Sequence, residues 1–170
     1  EAVDHFGYAD GHSEPRFAPG GEIFYPNQVH VGEALVGHAN AADASQALGA
    51  DLGPLLQDAS YLVVRKLRQD VEAFEAAAEA AATARVTADE VKAKMMGRWP
   101  DGRPLIEQDG SGLNDFNYDE DTTGAVCPFA AHIRRANPRT GDGVQAKEVR
   151  SLPGARPPRL FRRGMSYTDP

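Results

Sequence analysis

With 170 residues, 41% of them hydrophobic, the chain is long enough for one domain with a real core. Its 25 acidic against 18 basic residues leave a net charge of -7, which disfavours a nucleic-acid partner. No apolar run approaches the roughly 20 residues of a membrane span, and a single cysteine excludes an intramolecular disulfide or an all-cysteine metal site.

The opening Glu1-Ala2-Val3 reads as mid-domain sequence, and both ends read as cut, so the compartment, cytoplasmic or secreted, stays open. Residues 3–8 predict a short strand, with Gly7 and Gly11 allowing an awkward backbone around Asp10. That pattern fits an ordinary Asp-Gly turn. It also admits a mononuclear metal site, because Asp10 and His12 alternate onto one strand face with His5 nearby. Residues 16–58, rich in Gly, Pro, Ala and Asn, read as loop with short extended pieces at 22–25 and 33–36. His30 and His38 read as surface or turn residues there.

Residues 59–67 are β-branched and aromatic and predict a strand. A helix over 69–85 follows, with Leu67, Val71, Phe74, Ala78 and Ala81 on one face. Thr87 and Glu90 have capping-box spacing and open a second helix that runs to about Met96. The segment from Gly97 to Leu105 is a long turn holding Trp99, the only tryptophan. Such a residue covers a core or, when exposed, relays an electron. Residues 114–121 place oxygen side chains on alternate positions, as a calcium loop does. Glu120 and Val126 stand where that loop needs glycine and glutamate, so calcium is rejected.

The apolar run 126–133 carries His132 and is followed by Arg134, Arg135, Asn137-Pro138 and Arg139. An imidazole on an apolar platform suits an iron ligand, since the neutral ring can coordinate while the walls exclude water. The arginines behind it could grip carboxylates with their planar fork of donors. The same residues also read as a core histidine and a basic helix end. Residues 140–158 are loop, and 159–162 form a short strand entering a turn.

Gly7-Tyr8-Ala9-Asp10-Gly11, the run 60–74, the turn 97–105, the stretch 114–121, Cys127-Pro128 with His132, Asn137-Pro138-Arg139, and Arg162-Arg163-Gly164 with Tyr167 stand in one order. Together they resemble the dye-decolourising (DyP-type) peroxidase family, in its larger bacterial and fungal subclass. Thr168 replaces the usual glycine after the tyrosine.

The resemblance implies an α+β fold, the ferredoxin-like module of a dimeric α+β barrel, with an antiparallel sheet and flanking helices. Residues 1–170 would be the haem-binding C-terminal module in part, its N-terminal partner and last strands lying outside the chain. It implies haem b, one per complete catalytic unit, with His132 as axial iron ligand and Asp10 as distal acid–base. It implies Arg162 as stabiliser of charge on the leaving oxygen, Arg139 as a propionate contact and Gly11 as part of the cofactor lining. Cys127 is a rival thiolate ligand, and the resemblance favours His132.

The implied activity is reduction of hydrogen peroxide with oxidation of phenolic or dye-like one-electron donors. The alternative is a haem-binding or haem-handling protein with little turnover. Hydrogen peroxide, small aromatic reductants and the remainder of the same protein as separate chains are the implied partners, with homo-oligomerisation left open.

Overall fold

The computed structural model describes residues 3–9, 12, 14–18, 22, 25–40, 51–107, 113–139, 161–162, 164–165 and 167. The elements in chain order are β1 (Arg16–Phe17), β2 (Gln28–Val29), a 3-10 turn (Val31–Glu33), α1 (Gly53–Leu56), α2 (Val71–Ala81), α3 (Ala88–Met96) and α4 (His132–Ala136). Among these residues no helix is long and apolar enough to cross a membrane.

Both longer helices begin where their sequences ask. The Asp70 carboxylate accepts the Ala73 amide at 3.0 Å and starts α2. Thr87 and Glu90 bond each other's backbone amides in a complete capping box at the head of α3. Gly97 stops α3 at φ +85°, a left-handed conformation that glycine adopts without a Cβ penalty. The two helices pack through Phe74 and Ala78 on one side and Ala93 on the other, all buried. The Lys92 ammonium lies 3.0 Å from Glu75 and joins them at the rim.

The apolar face of α2 is narrower than its sequence predicts. Val71 and Ala81 are exposed, and so is Leu67 ahead of the helix. The run 60–68 ahead of it is not a paired strand among the described residues and does not cover that face. Its side chains stand in solvent, Tyr61 at 86% and Leu62 at 89% exposure. An extended backbone becomes a strand only when a neighbour takes up its amides and carbonyls. The sheet expected to be antiparallel is, among the described residues, the short parallel pair β1 and β2, with Arg16 opposite Gln28 and Phe17 opposite Val29.

Other extended segments are corrected too. Residues 3–8 turn tightly rather than run straight, the Asp4 carboxylate accepting the Tyr8 amide at 2.9 Å, and only Val3 and Ala9 bridge across the turn. Local carboxylate bonding of this kind competes with a strand ladder. The expected extended piece at 33–36 instead begins in the 3-10 turn Val31–Glu33, with the Ala34 and Leu35 amides on the Val31 carbonyl. Of 22–25, residues 23 and 24 lie outside the described residues and Tyr25 sits in a bend. Residues 159 and 160 also lie outside, and 161–162 are not paired as strand.

The main core lies C-terminal to α3. Phe116 and Tyr118 alternate inward and join Ile106, Cys127, Ala131 and Ile133. Asn27 is buried beside it, donating to the Glu14 carbonyl at 2.8 Å. The Asn137 amide reaches Asn27 Oδ1 at 3.4 Å, which ties the far end of α4 to the N-terminal segment.

Candidate functional site

α4 is five residues long, too short to hold itself as an isolated helix, so its neighbours fix it. Ile133 packs into the core against Gly97, where any Cβ would overlap the Ile133 side chain. Arg134 is fully buried, with Nη1 donating to Asp121 Oδ2 at 3.2 Å and to the Cys127 carbonyl at 2.5 Å. Its guanidinium lies over the rings of Tyr118 and Phe129, 4.0 and 4.7 Å from their centroids. His132, two residues earlier and about 200° around the helix, is exposed.

Although the ring meets solvent, the protein around it still lowers the His132 pKa from its usual value. Burial is the first cause and the positive charge of Arg162 the second, while Asp4 opposes them. Two residues distant in sequence, Asp4 and Arg162, thus act in opposite senses on the charge of this imidazole. Arg162 is held beside Phe161, whose ring stacks on Phe17 of β1 at 4.5 Å. Further on, the Tyr167 carbonyl accepts from His5 Nε2 at 3.0 Å, and Lys66 lies 5.0 Å from the Tyr167 ring centroid.

Asp10 and Gly11 lie outside the described residues. Their neighbours on either side meet the 97–105 turn. The Ala9 amide donates to the Pro100 carbonyl at 2.9 Å. The His12 ring lies close enough to Gly102 that a Cβ there would meet it, and Gly102 itself has φ +89°. Among the described residues, to which Asp10 does not belong, no group of three His, Cys, Asp or Glu side chains could hold a metal ion.

The arginines behind His132 have separate fates. Arg134 grips a carboxylate, but it is the protein's own Asp121. Arg135 is exposed. Arg139 is buried, with Nη1 donating to the Asn114 and Phe116 carbonyls and its guanidinium 4.0 Å from the Phe116 ring centroid. Arg98 shares that ring at 5.6 Å and bonds the Gly102 and Leu113 carbonyls, and burial pushes its pKa down to about 10. Cys127 is 1% exposed inside the core, so its sulfur offers a ligand almost no surface.

Sequence reasoning missed Asp4, Asp121 and the inward role of Arg134. Asp121 was visible only as one oxygen in an alternating acidic stretch. Nothing in that spacing says which carboxylate turns inward.

An accessible imidazole favoured in its neutral form, within the field of a guanidinium and without a hydrogen bond to its ring among the described residues, is a donor set that fits haem iron. The chain is 34% identical to the multifunctional dye peroxidase DyP2 of Amycolatopsis sp., over 98% of this chain and 37% of that protein. It is 31% identical to the dye-decolorizing peroxidase msp1 of Mycetinis scorodonius, over 80% of this chain and 29% of that one. Its fold matches a solved dye-decolorizing peroxidase in complex with 2,6-dimethoxyphenol with a TM-score of 0.59 and 27% identity. That match covers 80% of this chain and 34% of the other. No family model matches the chain. On these relatives, the chain belongs to the DyP-type peroxidase family, whose members are haem-dependent enzymes. It spans about a third of the length of the curated relatives it matches.

Proposed function

We propose that this chain contributes the haem-ligand side of a peroxidase that reduces hydrogen peroxide and oxidises phenolic or dye-like one-electron donors. The observation that carries the reading is electrostatic. His132 and Arg162, assigned by resemblance to the two faces of one haem, lie within each other's field although 30 residues apart in the chain. When bound, haem supplies an iron that accepts the peroxide oxygen and passes electrons from the reductant.

The side chains divide the remaining work. His132 offers a neutral imidazole lone pair to the iron. Asp10 takes a proton from the inner peroxide oxygen and returns it to the leaving one. Arg162 stabilises the negative charge that grows on the leaving oxygen. Gly11 lines the cofactor and Arg139 reaches a propionate in the same reading, both on resemblance. The phenol bound to the solved relative supports a phenolic reductant. The ferredoxin-like sheet, in this proposal, is completed beside residues 60–68 by polypeptide that the relatives carry beyond the matched third. Intact-mass analysis of a haem-loaded sample tests whether that polypeptide accompanies the chain.

The first test is an absorption spectrum before and after one equivalent of hydrogen peroxide. A Soret band that shifts with peroxide and returns with a phenol supports turnover. A haem spectrum indifferent to peroxide supports the haem-handling alternative instead, which the chain's one-third span of its relatives keeps in play. Asp10→Ala or Arg162→Ala should then reduce peroxidase turnover by at least about a hundredfold. An ionised carboxylate persists down to about pH 4, so an aspartate base favours activity in acid. A flat profile between about pH 4 and 8 counts against Asp10 as the base.

A further inference from the structure

We infer that Asp121 and Arg134 form a buried clamp that sets the orientation of His132, and so act as positioning residues for the iron ligand. The inference rests on the reading of His132 as that ligand.

Asp121 holds the loop before α4. Its Oδ1 accepts the Val126 amide at 3.1 Å and its Oδ2 the Cys127 amide at 2.9 Å. Arg134 couples the helix to the same loop, bonding Oδ2 and the Cys127 carbonyl through Nη1, with Nη2 at 3.4 Å from the Asp121 carbonyl. One carboxylate thus serves two loop amides and one helix cation. The guanidinium also contacts two aromatic rings, Tyr118 and Phe129, which adds to its restraint.

His132 is the first residue of α4, and the Ala131 N-cap supplies no side-chain cap. With one turn of helix and no cap, the direction of the imidazole depends on what anchors the helix on its other side. Arg134 is that anchor, with Ile133 against Gly97 as the apolar half of the same seat. Groups behind a metal ligand typically change metal affinity or activity by about 10- to 100-fold when altered. Arg134 lies inside the core, where a fork of donors cannot be replaced by a point charge.

The test uses the full chain with added hemin, reduced to the ferrous state, and reads the iron–imidazole stretch by resonance Raman spectroscopy. His132→Ala serves as control. If the band is missing from the parent, or survives in His132→Ala, the ligand assignment fails and the clamp falls with it. If His132→Ala removes the band, Arg134→Lys and Asp121→Asn should each shift or broaden it. They should also weaken hemin binding by about tenfold. Helical circular dichroism should persist in both. Should Asp121→Asn fail to fold, Arg134→Lys decides alone, since lysine keeps the charge and loses only the fork. In the haem-free chain, side-chain couplings of His132 should report one rotamer in the parent and averaging in Arg134→Lys. An unmoved band with unaveraged couplings in Arg134→Lys would overturn the clamp while leaving His132 as ligand.

Discussion

His132 is asked to be neutral when iron arrives, and its surroundings arrange this without removing it from solvent. Burial and Arg162 both penalise the imidazolium, and Asp4 only partly offsets them. The haem-free chain should therefore show a His132 titration midpoint below the usual value near 6.5, read from its ring protons by NMR. Arg162→Gln should raise that midpoint and Asp4→Asn should lower it further. A midpoint at or above 6.5 would remove the electrostatic link between His132 and Arg162. The stability sign follows from proton counting. Between the lowered midpoint and about 6.5 the unfolded chain binds more protons, so this contribution is lost as pH falls through that window. Tyr8 works at the alkaline end. Burial pushes its hydroxyl up to about 12, Lys92 working against the rise and Asp4, Glu75 and Asp89 adding to it, and among the described residues nothing hydrogen-bonds that oxygen. An unsatisfied buried hydroxyl costs about 1–3 kcal/mol. Tyr8→Phe should therefore raise stability in a urea melt by about 1 kcal/mol. It should also remove the loss of stability that sets in above about pH 10, where the unfolded tyrosine ionises first. A destabilised Tyr8→Phe would mean that the hydroxyl has a partner.

At the scale of elements, α3 and α4 are joined through a glycine. Gly97 ends α3 in the left-handed region, and its missing side chain is the space that Ile133 fills, with Cys127 Sγ beside it. Gly97→Ala meets both problems at once. A left-handed alanine costs about 1–2 kcal/mol and overpacking typically adds about 1–3. Chemical denaturation should show a loss of about 2 kcal/mol or more, with a change in the His132 NMR signals because Ile133 is its neighbour. A stability loss without change at His132 would make Gly97 a helix stop and nothing further. The start and end of α3 were legible because their determinants are local, Thr87 standing three residues before Glu90, whereas the helix expected over 69–85 is α2 at Val71–Ala81. The seat of α4 was not legible, because Arg134 meets Asp121 across a core that periodicity does not describe. Of the arginine cluster only Arg134 meets a carboxylate among the described residues, that of Asp121, and an ion pair between segments leaves no spacing signature. Phe116 and Tyr118 alternate inward with strand-like period, and only their burial distinguishes that segment from an acidic loop.

For the whole molecule, the fold was legible where one segment decides its own shape and hidden where a second segment must answer. The run 60–68 has the composition of a strand apolar on both faces, the pattern of a strand covered from two sides. Yet Tyr61, Leu62, Val63 and Val64 stand at least 79% exposed, and α2 behind them buries only Phe74 and Ala78. Composition fixes the preference for extended backbone, and pairing needs a neighbour that composition cannot supply. Four consecutive exposed apolar side chains on a run with no paired strand partner among the described residues are a template for adding another strand. The isolated chain should therefore self-associate as concentration rises, measurable as light scattering that grows faster than linearly. Val63→Lys places a charge at the middle of the run, where no packed core of the described residues is disturbed. It should reduce that scattering several-fold and leave the helical dichroism of α2 and α3 unchanged. Equal scattering from parent and variant would show that the run is covered in solution. The extended stretch would then be a buried strand of the isolated chain, as its sequence alone predicts.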